Sequence, residues 1–374
     1  MEERRTGQAP KLSLGTPFRR STQTPSADVS KEGAVRATDS DALLSRVSAV
    51  KLGYVPPDAY APLFVSTREP PPRRPLLINI GTALRSGEVD ERVDAFLSSG
   101  SLQSPRRSTN VDRVQIVSLG AGSDSRFWRL HEAGVGGYGL HQTTGFAHLH
   151  RYVEVDYPQI ASHKSARIRA ESSLHTPLGP LQESGLDEIH AEKYVLLADD
   201  LYAYGDQAQE EPLARLLAQL DTTLPTLFLW ECVLAYLDPT MANRLMERIF
   251  AQVPNTSILC YDMCVGGDHA ELHAPPDRFG RVMLQNLSAR RLELVGARKY
   301  TTPESYAKRF QALLEQTRPD SQVHSGAYSL RSAWQTLDAN DRQRLSRLEG
   351  LDEMEELEML LGHYCMSWAE RHSS

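Results

Sequence analysis

Residues 114–130 read VQIVSLGAGSDSRFWRL. The first six, VQIVSL, form an apolar, β-branched run of the kind buried on both faces of a parallel sheet, and Gly120-Ala121-Gly122 breaks it as a tight turn. Backbone without Cβ lets a ligand approach closely, so a strand ending in glycines is where an α/β sheet holds an adenosine-containing cofactor. A dinucleotide fingerprint would place a third Gly or Ala three positions after Gly122. This chain has Ser125 there, then Arg126, and Asp124 stands where a pyrophosphate would lie. A carboxylate in that place repels phosphate and suits a cation. S-adenosylmethionine, carrying an ammonium and a sulfonium, therefore suits Gly120, Gly122 and Asp124 better than a dinucleotide does; another nucleotide or a purely structural turn stays open from this stretch alone.

Working outward, four further short apolar runs follow at intervals that leave room for helices. Residues 152–158 (YVEVDYP) read as a strand ending in acids, with Pro158 blocking its continuation into a central position. Glu154 or Asp156 would accept two hydrogen bonds from a ribose diol; the spacing from Gly120 exceeds the usual ~20 residues because a glycine-rich insertion intervenes. Residues 193–198 (KYVLLA) form the next strand, followed by Asp199, Asp200 and Leu201, acids that either accept from an adenine amino group or N-cap the following helix. Residues 225–231 (PTLFLWE) are nearly all apolar and end at Glu231, a lone acid among apolar neighbours that needs a cationic partner. Residues 257–262 (SILCYD) make the fifth strand, and 363–369 (HYCMSWA) alternate as a terminal one after a polar strand candidate at 322–330. Five strand-helix units and a terminal strand pair are the layout of a Rossmann-like class I methyltransferase. The expected fold is α/β, a mostly parallel seven-stranded sheet with helices on both faces and a helical cap from the N-terminus and the insertions.

Ahead of the first strand, residues 1–38 are poor in large apolar residues and read as a disordered tail. Order is expected from the N-cap-like cluster Asp39-Ser40-Asp41, giving a single domain over 39–374 with inserted loops at 98–113, 134–150 and 170–190. A helix is expected from Glu88 to Leu97, preceded by the segment 78–85 (INIGTALR). The net charge of −7 argues against a nucleic-acid or anionic membrane surface, and no apolar run approaches the ~18 residues of a membrane helix. Four scattered cysteines read as buried free thiols of a reducing compartment, so the expected location is the cytoplasm, with the nucleus also open. Asp268, His269 and His273 follow no metal-ligand spacing and read as a solvated loop, so no metal is expected.

Residues 230–237 (WECVLAYL), 277–280 (DRFG), 351–358 (LDEMEELE) and 363–365 (HYC), in this order together with the glycine turn, resemble the leucine carboxyl methyltransferase family, and the likeness runs from about residue 40 to about residue 370. The resemblance implies S-adenosylmethionine-dependent formation of a methyl ester on the C-terminal leucine of the type 2A protein phosphatase catalytic subunit. It further implies that Arg85 and Arg46 hold the donor's methionine carboxylate, Gly120 forms the turn, and Asp156 meets the ribose. Asp200 and Leu201 would flank the adenine, and Glu231 would face the donor's amino group. Two departures stand out: Ile80 occupies a position where relatives have Arg, and Arg126 one where they often have Thr. A related tRNA-modifying branch carries an extra repeat domain, and no repeats occur here, so the phosphatase-directed branch is the expected one.

A C-terminal carboxylate has a pKa near ~3.5 and is already a nucleophile at neutral pH. No general base is expected; Arg85 and Tyr236 are assigned to positioning, and the enzyme is expected to act as a monomer. The alternatives are a methyltransferase of the same fold acting on a small carboxylic acid, and a non-catalytic module that clasps a phosphatase tail.

Overall fold

In the computed structural model the described residues are 31–66, 72–103, 112–134, 144–268, 272 and 274–372. The expected tail lies outside them up to residue 30, as do parts of the loops at 98–113 and 134–150, and His269 and His273.

Eight strands form one sheet: β1 (Val114–Leu119), β2 (Leu149–Asp156), β3 (Ile189–His190), β4 (Tyr194–Ala198), β5 (Thr226–Glu231), β6 (Thr256–Met263), β7 (Val323–Ser329) and β8 (Tyr364–Arg371). Their order is β3-β4-β2-β1-β5-β6-β8-β7. The strands from β4 to β6 pair in parallel, while β8 pairs antiparallel to both β6 and β7. The eighth strand, absent from the expected seven, is the two-residue β3, which the 170–190 insertion folds antiparallel onto the edge of β4. Every residue of β1 is buried, Gln115 and Ser118 included, as a strand covered on both faces requires. The pleat divides the core: Ile116, Tyr152, Leu196 and Leu229 pack on one face, and Val117, Val153, Leu197 and Trp230 on the other.

Helices α1 (Lys31–Lys51), α2 (Leu76–Ser99), α3 (Arg126–Gly134) and α4 (Pro158–Ala170) matter most for the site. Three sequence expectations need correction here. Residues 31–38, expected in the tail, belong to α1, and the cluster at 39–41 lies inside this helix because the Asp39 and Asp41 carboxylates bond to distant segments, Ser123 and Arg74, instead of capping. The helix expected from Glu88 begins at Leu76: Ile80, Leu84 and Val89 are buried along one side of a single continuous helix that Gly100 ends in the left-handed region, at φ +71°. Finally, β2 sits inside the sheet between β1 and β4; Pro158 does not exclude it from the interior, because the proline falls in the first turn of α4, where its missing N–H is harmless.

The chain runs outward from β1 through β2 to β4, then returns to place β5 and β6 on the other side of β1. The carboxyl ends of β1, β2, β4 and β5 thus meet at a topological switch point, the place where open α/β sheets bind ligands.

Candidate active site

At the end of β1, Gly120 and Gly122 adopt φ of +72° and +53°. A Cβ on Gly120 would lie 2.5 Å from Val233, and one on Gly122 2.5 Å from the Asp39 carboxylate, so conformation and space both demand glycine. The Gly122 and Tyr157 N–H groups donate to the two oxygens of Asp156, at 2.6 and 2.7 Å. Glu154, two residues earlier on the same side of β2, is sealed beneath α4 against Lys164 and the Tyr194 hydroxyl at 2.5 and 2.6 Å. Of the two acids read from sequence, only Asp156 reaches the switch point.

Burial, with the charge of Asp39 adding to it, outweighs two backbone hydrogen bonds and Lys164 and leaves the Asp156 carboxyl pushed up to about 7. The sign follows. Because the folded pKa is raised, this group's stabilising contribution is complete below the ordinary value near 4 and is lost as pH rises through about 7. Diol acceptance needs the ionised form and strengthens over the same range. Titration calorimetry with S-adenosylhomocysteine should show affinity falling as pH drops below 7, and a flat profile from pH 8 to 6 would contradict this role for Asp156.

Glu231 ends β5. Its two oxygens accept from Arg126 Nη1 at 2.7 Å and Arg85 Nε at 2.9 Å. Burial alone would raise its pKa, but Arg126 and then Arg85 hold the carboxyl down to about 2. The Arg85 guanidinium also lies 4.9 Å from the centre of the Tyr261 ring, which stacks on Tyr364. Arg126 bonds in addition to Asp124 at 2.6 Å and Asp90 at 2.9 Å. Asp124, read as facing a cationic ligand, thus sits beside the turn with its charge directed at Arg126. Arg46 bonds to Asp58 at 2.6 Å and to Ser86 at 3.0 Å, next in sequence to Arg85. Asp58 also takes the Ser125 hydroxyl of the turn segment at 2.7 Å, and Arg129 joins Asp90 at 2.5 Å. Four guanidinium and four carboxylate groups thereby interlock between α2, α3 and the ends of the strands.

Asp200 follows β4 and caps the helix Leu201–Gly205, accepting from the Tyr202 N–H at 2.9 Å; Leu201 is buried. Asp199 donates its N–H to the Asp156 carbonyl at 3.0 Å, which sets this segment beside Asp156. Asp200→Ala should lower stability by about 1 kcal/mol through the lost cap, read by urea unfolding, and no loss would contradict the capping role. Tyr236 lies in the turn after β5, half-buried against a small apolar cluster that includes Met263 and Phe279. That turn is pinned by Asp262, which accepts the Ala235 N–H at 2.9 Å. Cys232, between Glu231 and this turn, holds a positive φ of 57°.

The structure therefore gathers Gly120, Gly122, Asp124, Asp156, Arg85 and Glu231 into one region, with Asp200 and Leu201 adjoining and Arg46 at its α1 side. Sequence reasoning missed Asp58, Asp90 and Arg129, and noted Arg126 only as a departure. The one local signal was Arg126 and Arg129 at helical i, i+3 spacing, which puts two cations on one face of α3. Among the described residues no group of His, Cys, Asp or Glu could hold a metal ion. A separate open cavity of about 860 Å³, lined by Phe127, Phe146, Leu178 and Lys193 among others, shares none of these site residues.

The region fits a zwitterionic, ribose-bearing cation: Glu231 offers an anion, Arg85 a cation, and Asp156 a buried acceptor. The family described as leucine carboxyl methyltransferase matches residues 66–250. Leucine carboxyl methyltransferase 1 of Mycosarcoma maydis is 37% identical, the alignment covering 91% of this chain and 78% of the relative. That of Cryptococcus neoformans is 35% identical, with 91% and 94% covered, and that of Rattus norvegicus is 30% identical, with 92% of each covered.

Proposed function

This chain belongs to the leucine carboxyl methyltransferase family, and from that premise we propose that it methylates the C-terminal leucine carboxylate of the type 2A protein phosphatase catalytic subunit, forming an ester that regulates holoenzyme assembly. The donor is S-adenosylmethionine, which when bound supplies an electrophilic methyl group on a sulfonium. The observation that carries the reading is the Arg85–Glu231–Arg126 arrangement at the switch point beside Asp156, in a chain similar over nine-tenths of its length to enzymes of that name.

The residues' tasks follow from the acceptor's chemistry. A terminal carboxylate is ionised at neutral pH, so no side chain has to remove a proton. Arg85 and Glu231 are assigned to the two charged ends of the donor's amino-acid portion, and Asp156 to the ribose. The apolar surround of Tyr236 and the stacked Tyr261 and Tyr364 is assigned to keeping water from the acceptor oxygen, since desolvation and alignment can supply about 7–11 kcal/mol of the barrier. The reading places the enzyme in the cytoplasm or nucleus as a monomer.

Incubation with methyl-labelled donor and the phosphatase catalytic subunit, intact or lacking its terminal leucine, tests the acceptor. Label should enter only the intact subunit and be released by mild base. Base-stable label, or label on the shortened subunit, would overturn the reading. Methylation of small carboxylic acids alone, or tail binding without transfer, would install one of the two alternatives.

A further inference from the structure

Helix α1 reaches the donor region at a point that no assigned residue explains. Asp39, within this helix, accepts the Ser123 N–H at 2.7 Å through one oxygen and the Ser123 hydroxyl at 2.8 Å through the other. Ser123 follows Gly122, whose own N–H is bound by Asp156 at 2.6 Å. The absent Cβ of Gly122 is the space that the Asp39 carboxylate fills. Two carboxylates, Asp39 from α1 and Asp156 from the end of β2, thus grip consecutive amides of the glycine turn. Two residues on, Asp41 ties the same helix to Arg74 at 3.1 Å and to Arg290, and Arg46 ties it to Asp58.

We propose that Asp39 is a positioning residue of the donor site, through which α1 both fixes the glycine turn at Ser123 and sets the charge that Asp156 faces. The turn's conformation is demanding, with two glycines at positive φ separated by one residue, and amides held at both Gly122 and Ser123 define it. Electrostatically, the groups around Asp156 divide by element. From α1 comes Asp39, and from α4 comes Lys164, whose charge is shared with Glu154. The turn contributes Asp124, paired with Arg126, and the end of β4 contributes Asp199, paired with Arg215 at 3.1 Å, and the capping Asp200. Asp39 therefore opposes ionisation of Asp156 and keeps a negative field where a cationic ligand arrives. This role rests on the donor assignment and is independent of the acceptor.

Asp39→Asn keeps an oxygen to accept from Ser123 but removes the charge; Asp39→Ala removes both. Titration calorimetry with S-adenosylhomocysteine across pH 5.5–8.5 should show the binding midpoint of the Asn variant moved toward acid by on the order of half a pH unit. Asp39→Ala should weaken binding at least about tenfold at pH 8 and speed hydrogen exchange of the Gly122 and Ser123 amides, a readout that needs no turnover. A midpoint unmoved in the Asn variant, or Gly122 and Ser123 exchange unmoved in the Ala variant, would overturn the proposal. If the unaltered chain fails to bind S-adenosylhomocysteine, the donor assignment falls as well, which distinguishes that failure from this one.

Discussion

Replacing Arg126 with alanine is expected to lower the free energy of unfolding by about 3 kcal/mol. The side chain of Arg126 is 3% exposed and is the shared cation of three carboxylates, Asp90, Asp124 and Glu231, at 2.6 to 2.9 Å. Breaking a buried pair by removing one partner costs about 3–5 kcal/mol because the survivor stays buried with its charge uncompensated. The lower end applies, since Glu231 retains Arg85 and Asp90 retains Arg129. Arg126→Lys should recover only part of the loss, as a single ammonium cannot reproduce the forked contacts. The pH signature is specific. Glu231 has a lowered pKa, so its contribution is present above the ordinary value near 4.5 and is lost as pH falls toward about 2. In Arg126→Ala that acid-sensitive component should shrink. Urea unfolding at pH 7 and pH 3 measures both, and a change within about 0.5 kcal/mol of the unaltered chain would contradict the account of the charge network.

Arg85→Ala and Glu231→Gln should each weaken donor binding by tenfold or more, a loss of about 1.4 kcal/mol or greater. Arg85 differs from Arg126 in its surroundings: its side chain is 27% exposed, it bonds to one carboxylate, and its other neighbour is the Tyr261 ring. It is therefore the partner that can exchange Glu231 for a ligand carboxylate while Arg126 stays fixed. Glu231→Gln keeps the shape but removes the anion that would meet an ammonium. Calorimetry with S-adenosylhomocysteine, combined with unfolding curves, separates binding from stability. Unchanged affinity in both variants would remove these residues from the site.

The parts of the fold and site legible in the sequence share a physical cause. β1 and β5 are buried on both faces, so apolar residues dominate their runs, with only Gln115, Ser118 and Thr226 as polar members before the strand ends, and each ends at a group out of place in such a run, Gly120 or Glu231. On β2 the strand end was legible but the choice between Glu154 and Asp156 was not, because only the packing of Lys164 over Glu154 separates them. The charge network was not, because Arg126 pairs with residues 90, 124 and 231, and only Asp124 is close enough to leave a local pattern. Long-range ion pairs have no periodicity. Residues 78–85 were unassigned because a short apolar run containing Gly81 satisfies neither template alone, and only burial along the whole of α2 resolves it. The 39–41 cluster misled for a related reason: acids that cap helices and acids that clasp another segment look identical until the other segment, here Ser123, is in place.

The central claim is that this site directs a methyl group onto the α-carboxylate of a terminal leucine. Fragmentation mass spectrometry of the phosphatase catalytic subunit after reaction locates the modification most directly. The account predicts a single added methyl on the C-terminal leucine residue, lost on mild base treatment and absent with Glu231→Gln enzyme; a methyl on any internal side chain, or equal modification by that variant, would contradict it.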